Sequence, residues 1–204
     1  MVMKVYDSDI RKLLYMNFTI TQEFIEDPTT IVVDELDVLF GASRIDIAVI
    51  NGKINGFEIK SERDNLERLT SQIEFYNKIF DTMTVVVGEK HLSQITNIIP
   101  EWWGLYYVYN DNNDLRLIRE RDVKLNKNID ILSLAQLLWR EELIELLNIN
   151  KITKGTKSKK RYALCKLVVD SIEEKDIKHF VRKKLKSRED WRAVRLQQLC
   201  GDLR

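Results

Sequence analysis

The sequence predicts an α/β fold with a central mixed β-sheet flanked by helices, and three observations carry that prediction. Residues 44–60 alternate apolar and polar side chains in two runs, joined by a turn containing Asn51-Gly52 and Asn55-Gly56; Asn-Gly between alternating runs signals an antiparallel hairpin. Residues 61–80 then follow helical spacing and lead into Thr84-Val85-Val86-Val87-Gly88, a continuous β-branched run of the kind buried on both faces. Strands joined by such a crossover pair in parallel, so the sheet is mixed. Beyond residue 126 the apolar spacing is helical throughout, which adds a C-terminal helical region.

In chain order, Asp7, Ser8 or Asp9 caps a first helix running toward Phe18, whose role is packing on the sheet. Pro28 breaks the pattern, and residues 31–39 read as the first strand, with Glu35 near its middle. Gly41-Ala42-Ser43 turns the chain into the hairpin. The helix over 61–80 carries Leu66, Leu69, Ile73 and Phe80 toward the sheet. After the 84–88 strand, residues 89–99 form a short helix ended by Pro100, and the aromatic run 102–109 forms a strand. Its aromatic rings suit core packing or base stacking. A polar turn at 110–114 leads to an edge strand over 115–123 that pairs back as a hairpin. Helices follow at 131–147, 161–171, 176–186 and 190–199, with a basic linker at 151–160. This divides the chain into a core over 1–125 and a basic α-helical region over 126–204.

Composition narrows the class. The 204 residues are 44% hydrophobic and 32% charged, which fits a folded soluble protein rather than a disordered one. No apolar run approaches the ~18 to 20 residues that span a bilayer, and no signal segment is evident. Cys165 and Cys200 have no metal-ligand spacing and point to reduced thiols in a cytoplasm. Only His91 and His179 are present, which argues against a histidine zinc site. The net charge of +1 hides opposite fields: residues 151–195 hold 16 Lys/Arg against 6 Asp/Glu, whereas residues 1–150 hold 16 against 25. No internal repeat, glycine-rich phosphate loop or nucleophilic Ser/His/Asp arrangement is readable.

The hairpin carries the chemistry. Strand alternation puts Ile45, Ile47 and Val49 on one face with Phe57 and Ile59, leaving Arg44, Asp46, Glu58 and Lys60 on the other. Two carboxylates and an ammonium would then converge. Carboxylate oxygens are ligands for Mg²⁺ or Mn²⁺, which keep waters and take phosphate oxygens too; a lysine beside them can orient a water or hold a phosphate. The alternative is a solvated strand face of alternating charge.

Asp46 followed by Glu58-Ile59-Lys60 resembles the D…(D/E)-X-K signature of the PD-(D/E)XK, or restriction-endonuclease-like, nuclease superfamily, with Ile45 where the proline would stand. Asp64 follows, then a helix carrying Arg68, Gln72 and Tyr76, of which Gln72-x-x-x-Tyr76 is similar to the Q-x-x-x-Y element of RecB-type members. A spacing of four places both side chains on one helix face. Together with Arg44-x-Asp46, Ser61 and Pro100-x-Trp102-Trp103-Gly104, the pattern looks like a small, mostly uncharacterised bacterial and phage branch. The catalytic part of the likeness covers roughly residues 20–110.

The resemblance implies a restriction-endonuclease-like core and a Mg²⁺- or Mn²⁺-dependent deoxyribonuclease, expected to be an endonuclease. Asp46, Glu58 and the Ile59 carbonyl would ligate the ion, Glu35 would support a second one, Lys60 would orient the attacking water, and Gln72 and Tyr76 would position the phosphate or Lys60. Glu23 is a weaker rival to Glu35. Arg44 would pair with a carboxylate or touch a phosphate. Lys159, Lys160, Arg161, Arg182, Lys183, Lys184, Lys186 and Arg188 are expected to meet the DNA backbone, unless they form a solvated helix face. A homodimer would suit a double-strand cutter. The competing classes are a non-cleaving nucleic-acid-binding subunit and a phage or defence interaction protein whose basic tail binds an acidic partner.

Overall fold

The computed structural model describes residues 4–112, 114–188 and 191–202. Helices α1 (Asp7–Phe18) and α2 (Gln22–Ile25) precede strands β1 (Ile31–Val38), β2 (Ser43–Ile50) and β3 (Ile54–Lys60). Then come α3 (Leu69–Tyr76), β4 (Thr82–Gly88), α4 (Leu92–Ile95), β5 (Gly104–Asp111) and β6 (Asp114–Arg121). The C-terminal part holds α5 (Ile131–Ala135), α6 (Arg140–Ile149), α7 (Arg161–Ser171), α8 (Glu174–Ser187), β7 (Ala193–Arg195) and α9 (Leu196–Asp202).

The seven strands form one sheet in the order β6-β5-β4-β3-β2-β1-β7. The β3–β4 and β4–β5 pairs are parallel and the others antiparallel, so the mixed sheet expected from the crossover is present. One face buries α3 and the C-terminal helices through Leu69, Tyr76, Leu134, Leu164 and Val181, and the other buries α1, α2 and α9 through Ile10, Leu14, Phe18, Phe24 and Leu196. The composition change near residue 125 is therefore no break in the packing, because residues on both sides of it share the first cluster.

Several local expectations are corrected. Asn55-Gly56 lies inside β3 rather than in the turn. A Cβ on Gly56 would meet Met83 Sδ and the Phe80 ring, so the residue is there for close approach. The helix over 61–80 shrinks to α3, since Ser61 donates to Asp64 Oδ2 through both its N–H (2.8 Å) and its hydroxyl (2.6 Å), and that turn competes with helix. The 131–147 helix is broken between α5 and α6. The expected helix over 190–199 instead adds β7 to the exposed edge of β1, pairing Ile31–Val33 with Ala193–Arg195; Asp190 and the Cys200 side chain lie outside the described residues.

One irregularity shapes the site. Asp34 faces Ile47 and Leu36 faces Ile45 across β1 and β2, leaving Glu35 opposite Asp46 without a ladder pairing. Glu35 adopts a left-handed φ of +54°, and both strands switch face at that step. Ile45 accordingly packs in the α3-side cluster with Ala48 and Ile50, while Ile47 and Val49 pack on the α1 side. The simple alternation that put Ile45, Ile47 and Val49 together fails here, because a kinked residue resets the period.

Candidate active site

The β2–β3 ladder runs from Ile50↔Ile54 to Ile47↔Phe57 and stops. Past that point the strands splay, and the Asp46 side chain fills the gap: its Oδ2 accepts the Ile59 N–H at 2.7 Å. On β3, Phe57 and Ile59 enter the α1-side core, which sends Glu58 and Lys60 toward α3. The three residues that the hairpin pattern brought together are thus adjacent in space.

Glu58 is 1% exposed. Its Oε1 accepts from Lys60 Nζ at 2.6 Å and Gln72 Nε2 at 2.7 Å, and its Oε2 accepts from the Tyr76 hydroxyl at 3.0 Å. Gln72 Oε1 in turn accepts from Lys60 Nζ at 3.1 Å. Among the described residues the ammonium therefore uses two of its three donors and keeps one. The single Tyr76 hydroxyl proton is shared between Glu58 Oε2 and the Arg44 carbonyl at 2.7 Å, and the residue is fixed further by accepting from the Ser43 hydroxyl at 3.3 Å and by stacking on Trp103 at 6.3 Å. Gln72 and Tyr76, one helical turn apart, clamp the same carboxylate.

Charge at the site is incompletely neutralised. Burial, with Glu58 beside it, pushes the Asp46 carboxyl up to about 7, against the pull of the Ile59 N–H, Lys60 and Arg11. Burial likewise raises Glu58 above the usual carboxylate range despite Lys60, Tyr76 and Gln72. Two crowded, desolvated carboxylates of this kind favour a cation. Asp46, Glu58, Lys60, Gln72 and Ser43 line an open cavity of about 910 Å³ whose rim carries Arg44, Arg63 and Arg68.

Arg11 was not picked out in the sequence, where α1 read as a packing helix. Its guanidinium donates to Glu35 Oε1 (2.7 Å), Asp34 Oδ1 (3.2 Å) and the Asp46 carbonyl (3.0 Å), and lies 3.7 Å from Asp46 Oδ1. The one available signal was its position one turn after Asp7, to which it also donates at 2.7 Å. Ser43 was missed too, since a turn serine carries no pattern of its own. Glu35 reaches the cavity wall but gives its carboxylate to Arg11. Glu23 is away from it, paired with Lys53 at 2.6 Å. Arg44 forms an exposed cross-strand pair with Asp37 at 2.7 Å.

Among the described residues, no three Asp, Glu, His or Cys side chains are grouped to hold a metal ion. Mg²⁺ needs no such cage, since it is commonly held by one or two carboxylates and keeps several waters. Asp46 and Glu58, which line the open cavity together with Ile59, are two carboxylates of the kind such an ion takes.

The basic residues are mostly committed to the fold. Arg188 makes a bidentate pair with Glu142 at 2.9 and 2.6 Å, is 5% exposed, and lies over the rings of Trp139 and Trp191. Arg161 donates to the carbonyls of Leu138 and Gln136. Arg182 pairs with Asp81, Lys184 with Glu145 and Lys186 with Asp27. All five therefore have partners within the chain, and a charge run in sequence does not reveal partners that fold back from 46 or 101 residues away. Lys159, Lys160 and Lys183 are exposed.

No helix among the described residues is long and apolar enough to cross a membrane. Among solved structures, the SPO1766 protein of unknown function from Silicibacter pomeroyi is 17% identical, with 60% of this chain and 80% of that chain covered at a TM-score of 0.37, a likeness too low to carry an argument. Protein cII of Enterobacteria phage P4 is 30% identical over 126 residues, covering 60% of this chain and 46% of the relative, so the chain spans about half the length of that protein. The family described as Bacteriophage P4 protein cII matches residues 4–198, and the chain belongs to that family.

Proposed function

We propose that the chain is a metal-dependent nuclease of the PD-(D/E)XK type that hydrolyses DNA phosphodiester bonds. The observation that carries this reading is the convergence of Asp46, Glu58 and Lys60 at the splayed end of a hairpin, in an open cavity, with Gln72 and Tyr76 from the next helix holding Glu58. Mixed-sheet order, with the Asp and Glu-x-Lys strands adjacent and the Gln/Tyr helix packed on them, supports it further.

In this reading Asp46, Glu58 and the Ile59 carbonyl hold Mg²⁺ or Mn²⁺. A bound ion of this kind lowers the pKa of a water and offsets charge on the phosphodiester. Lys60 uses its spare donor to orient the attacking water and then to stabilise negative charge at phosphorus. Gln72 and Tyr76 hold Glu58 and Lys60 in place, so their role is positioning. Arg11 fixes the kinked β1–β2 junction by binding the Asp46 carbonyl and Glu35. The exposed Lys159, Lys160 and Lys183 are left for backbone phosphates, and a homodimer is the arrangement that would cut both strands.

The test is a panel of labelled linear, circular, branched and single-stranded DNA, with RNA alongside, incubated with Mg²⁺, Mn²⁺ or chelator. Wild type should cleave at least one substrate only with the ion, and Asp46→Ala, Glu58→Gln or Lys60→Ala should lose that activity. Binding of DNA without any cleavage would favour a non-cutting subunit instead.

A further inference from the structure

A second concave surface lies at the other end of the central hairpin. It is a pocket of about 480 Å³ between the Asn51-Gly52 turn, α8 and β7. Asp46 and Asn51 are five strand residues apart, or about 17 Å at ~3.4 Å per residue, so the two openings are separate. Five basic side chains line it: His179, Arg182, Lys183 and Lys186 from α8, and Arg195 from β7. The α8 residues recur at intervals of three and four, which puts them on one helix face. The rest of the lining is neutral, with no carboxylate in it.

A basic helix face is ordinarily just solvated. Three features distinguish this one. The cations converge from two elements into a hollow instead of diverging from a convex surface. Arg182 and Lys186 are held in place, by Asp81 Oδ1 at 2.7 Å and by Asp27 Oδ2 at 2.9 Å with the Thr29 hydroxyl of the pocket lining at 2.7 Å. Arg182 Nε is also buried without a hydrogen-bond partner among the described residues. Finally, the side chains of His179, Lys183 and Arg195 have no hydrogen-bond or ion-pair partner among the described residues. Two carboxylates thus anchor two cations, while the excess positive charge is left to face the cavity.

We propose that this pocket binds a phosphate group, independently of the Asp46–Glu58–Lys60 cleft. Fixed guanidinium and ammonium donors around a hollow suit a tetrahedral phosphate anion. The phosphate belongs either to a nucleic-acid backbone or to a small phosphate such as inorganic phosphate or a nucleotide, and the experiment separates the two.

Binding is measured in chelator, so that it does not depend on whether the cleft cuts. A fluorescently labelled DNA duplex and single strand are titrated at several salt concentrations, and thermal melts are recorded with inorganic phosphate and with ATP. Wild type is compared with Lys183→Glu/Arg195→Glu, with the milder Lys183→Gln/Arg195→Gln, and with Lys154→Glu/Lys157→Glu as an equal charge change at two exposed lysines elsewhere. For a backbone phosphate, the glutamate pair should weaken DNA binding roughly tenfold or more and lower the salt slope by nearly two, since each lost contact removes about 0.9. The glutamine pair should show a smaller loss in the same direction, and the control should stay within about twofold of wild type. For a small phosphate, phosphate or ATP should raise the melting temperature of the wild type and not of either pocket variant. The proposal is overturned if the pocket variants match wild type in both assays, or if the control loses as much as they do.

Discussion

Replacing Asp46 by Asn should stabilise the protein while removing the proposed nuclease activity. The folded state holds the Asp46 carboxyl proton up to about pH 7, against an ordinary value of 3.8, chiefly because of burial and secondly because of Glu58. Its side chain is 24% exposed, so solvent screens it only in part. At about 1.36 kcal/mol per tenfold change in proton affinity, the ionised group costs the fold about 4 kcal/mol. The folded form binds the proton more tightly than the unfolded chain does. Its stability is therefore whole below about pH 4 and is lost as pH rises from there to 7. Asparagine cannot ionise, yet it can still accept the Ile59 N–H. In chelator at pH 8, Asp46→Asn should melt about 8 to 16 °C above wild type, and the gap should close toward pH 4.5. Millimolar Mg²⁺ should raise the wild-type melting temperature at pH 8 and leave the variant unchanged. Equal melting at pH 8, or a gap of the same size at pH 4.5, would refute the argument that the site stores unfavourable charge.

Lys60→Met leaves Glu58 buried beside no cation, and stability at pH 8 should fall by about 3 to 5 kcal/mol in urea melts, with much of it recovered in Lys60→Met/Glu58→Gln. Tyr76→Phe keeps the stacking on Trp103 but loses the bonds to Glu58 and the Arg44 carbonyl. It should cost about 1 to 3 kcal/mol by denaturation and slow single-turnover cleavage by up to about 100-fold. Arg188→Ala breaks a buried pair with Glu142, so a loss of about 3 to 5 kcal/mol is expected in the same melts; an unchanged melt with weakened DNA binding would show that Arg188 faces nucleic acid after all.

Much of the site was legible because it sits on a hairpin. Period-two alternation fixes where Glu58 and Lys60 point once Phe57 and Ile59 are buried, and a four-residue interval fixes Gln72 over Tyr76. What was not legible depends on distance along the chain or on a single backbone angle. Nothing in the composition around Glu35 announces a left-handed residue, yet that residue moves Ile45 to the other core. Arg11 could not be assigned because its partners lie on two later strands. Arg188 and Arg182 sat in the most basic stretch, and only the folded chain supplies Glu142 and Asp81 to them. β7 escaped notice because three residues are too few to show alternation against the helical run around them.

The late pairing of β7 with β1 also has a consequence for synthesis. Residue 38 emerges from the ribosome 157 residues before Arg195, which at ~5 to 20 residues per second is roughly 10 to 30 s. Throughout that interval the flank of β1 has no neighbour, and an unpaired strand flank is a template for joining another nascent chain.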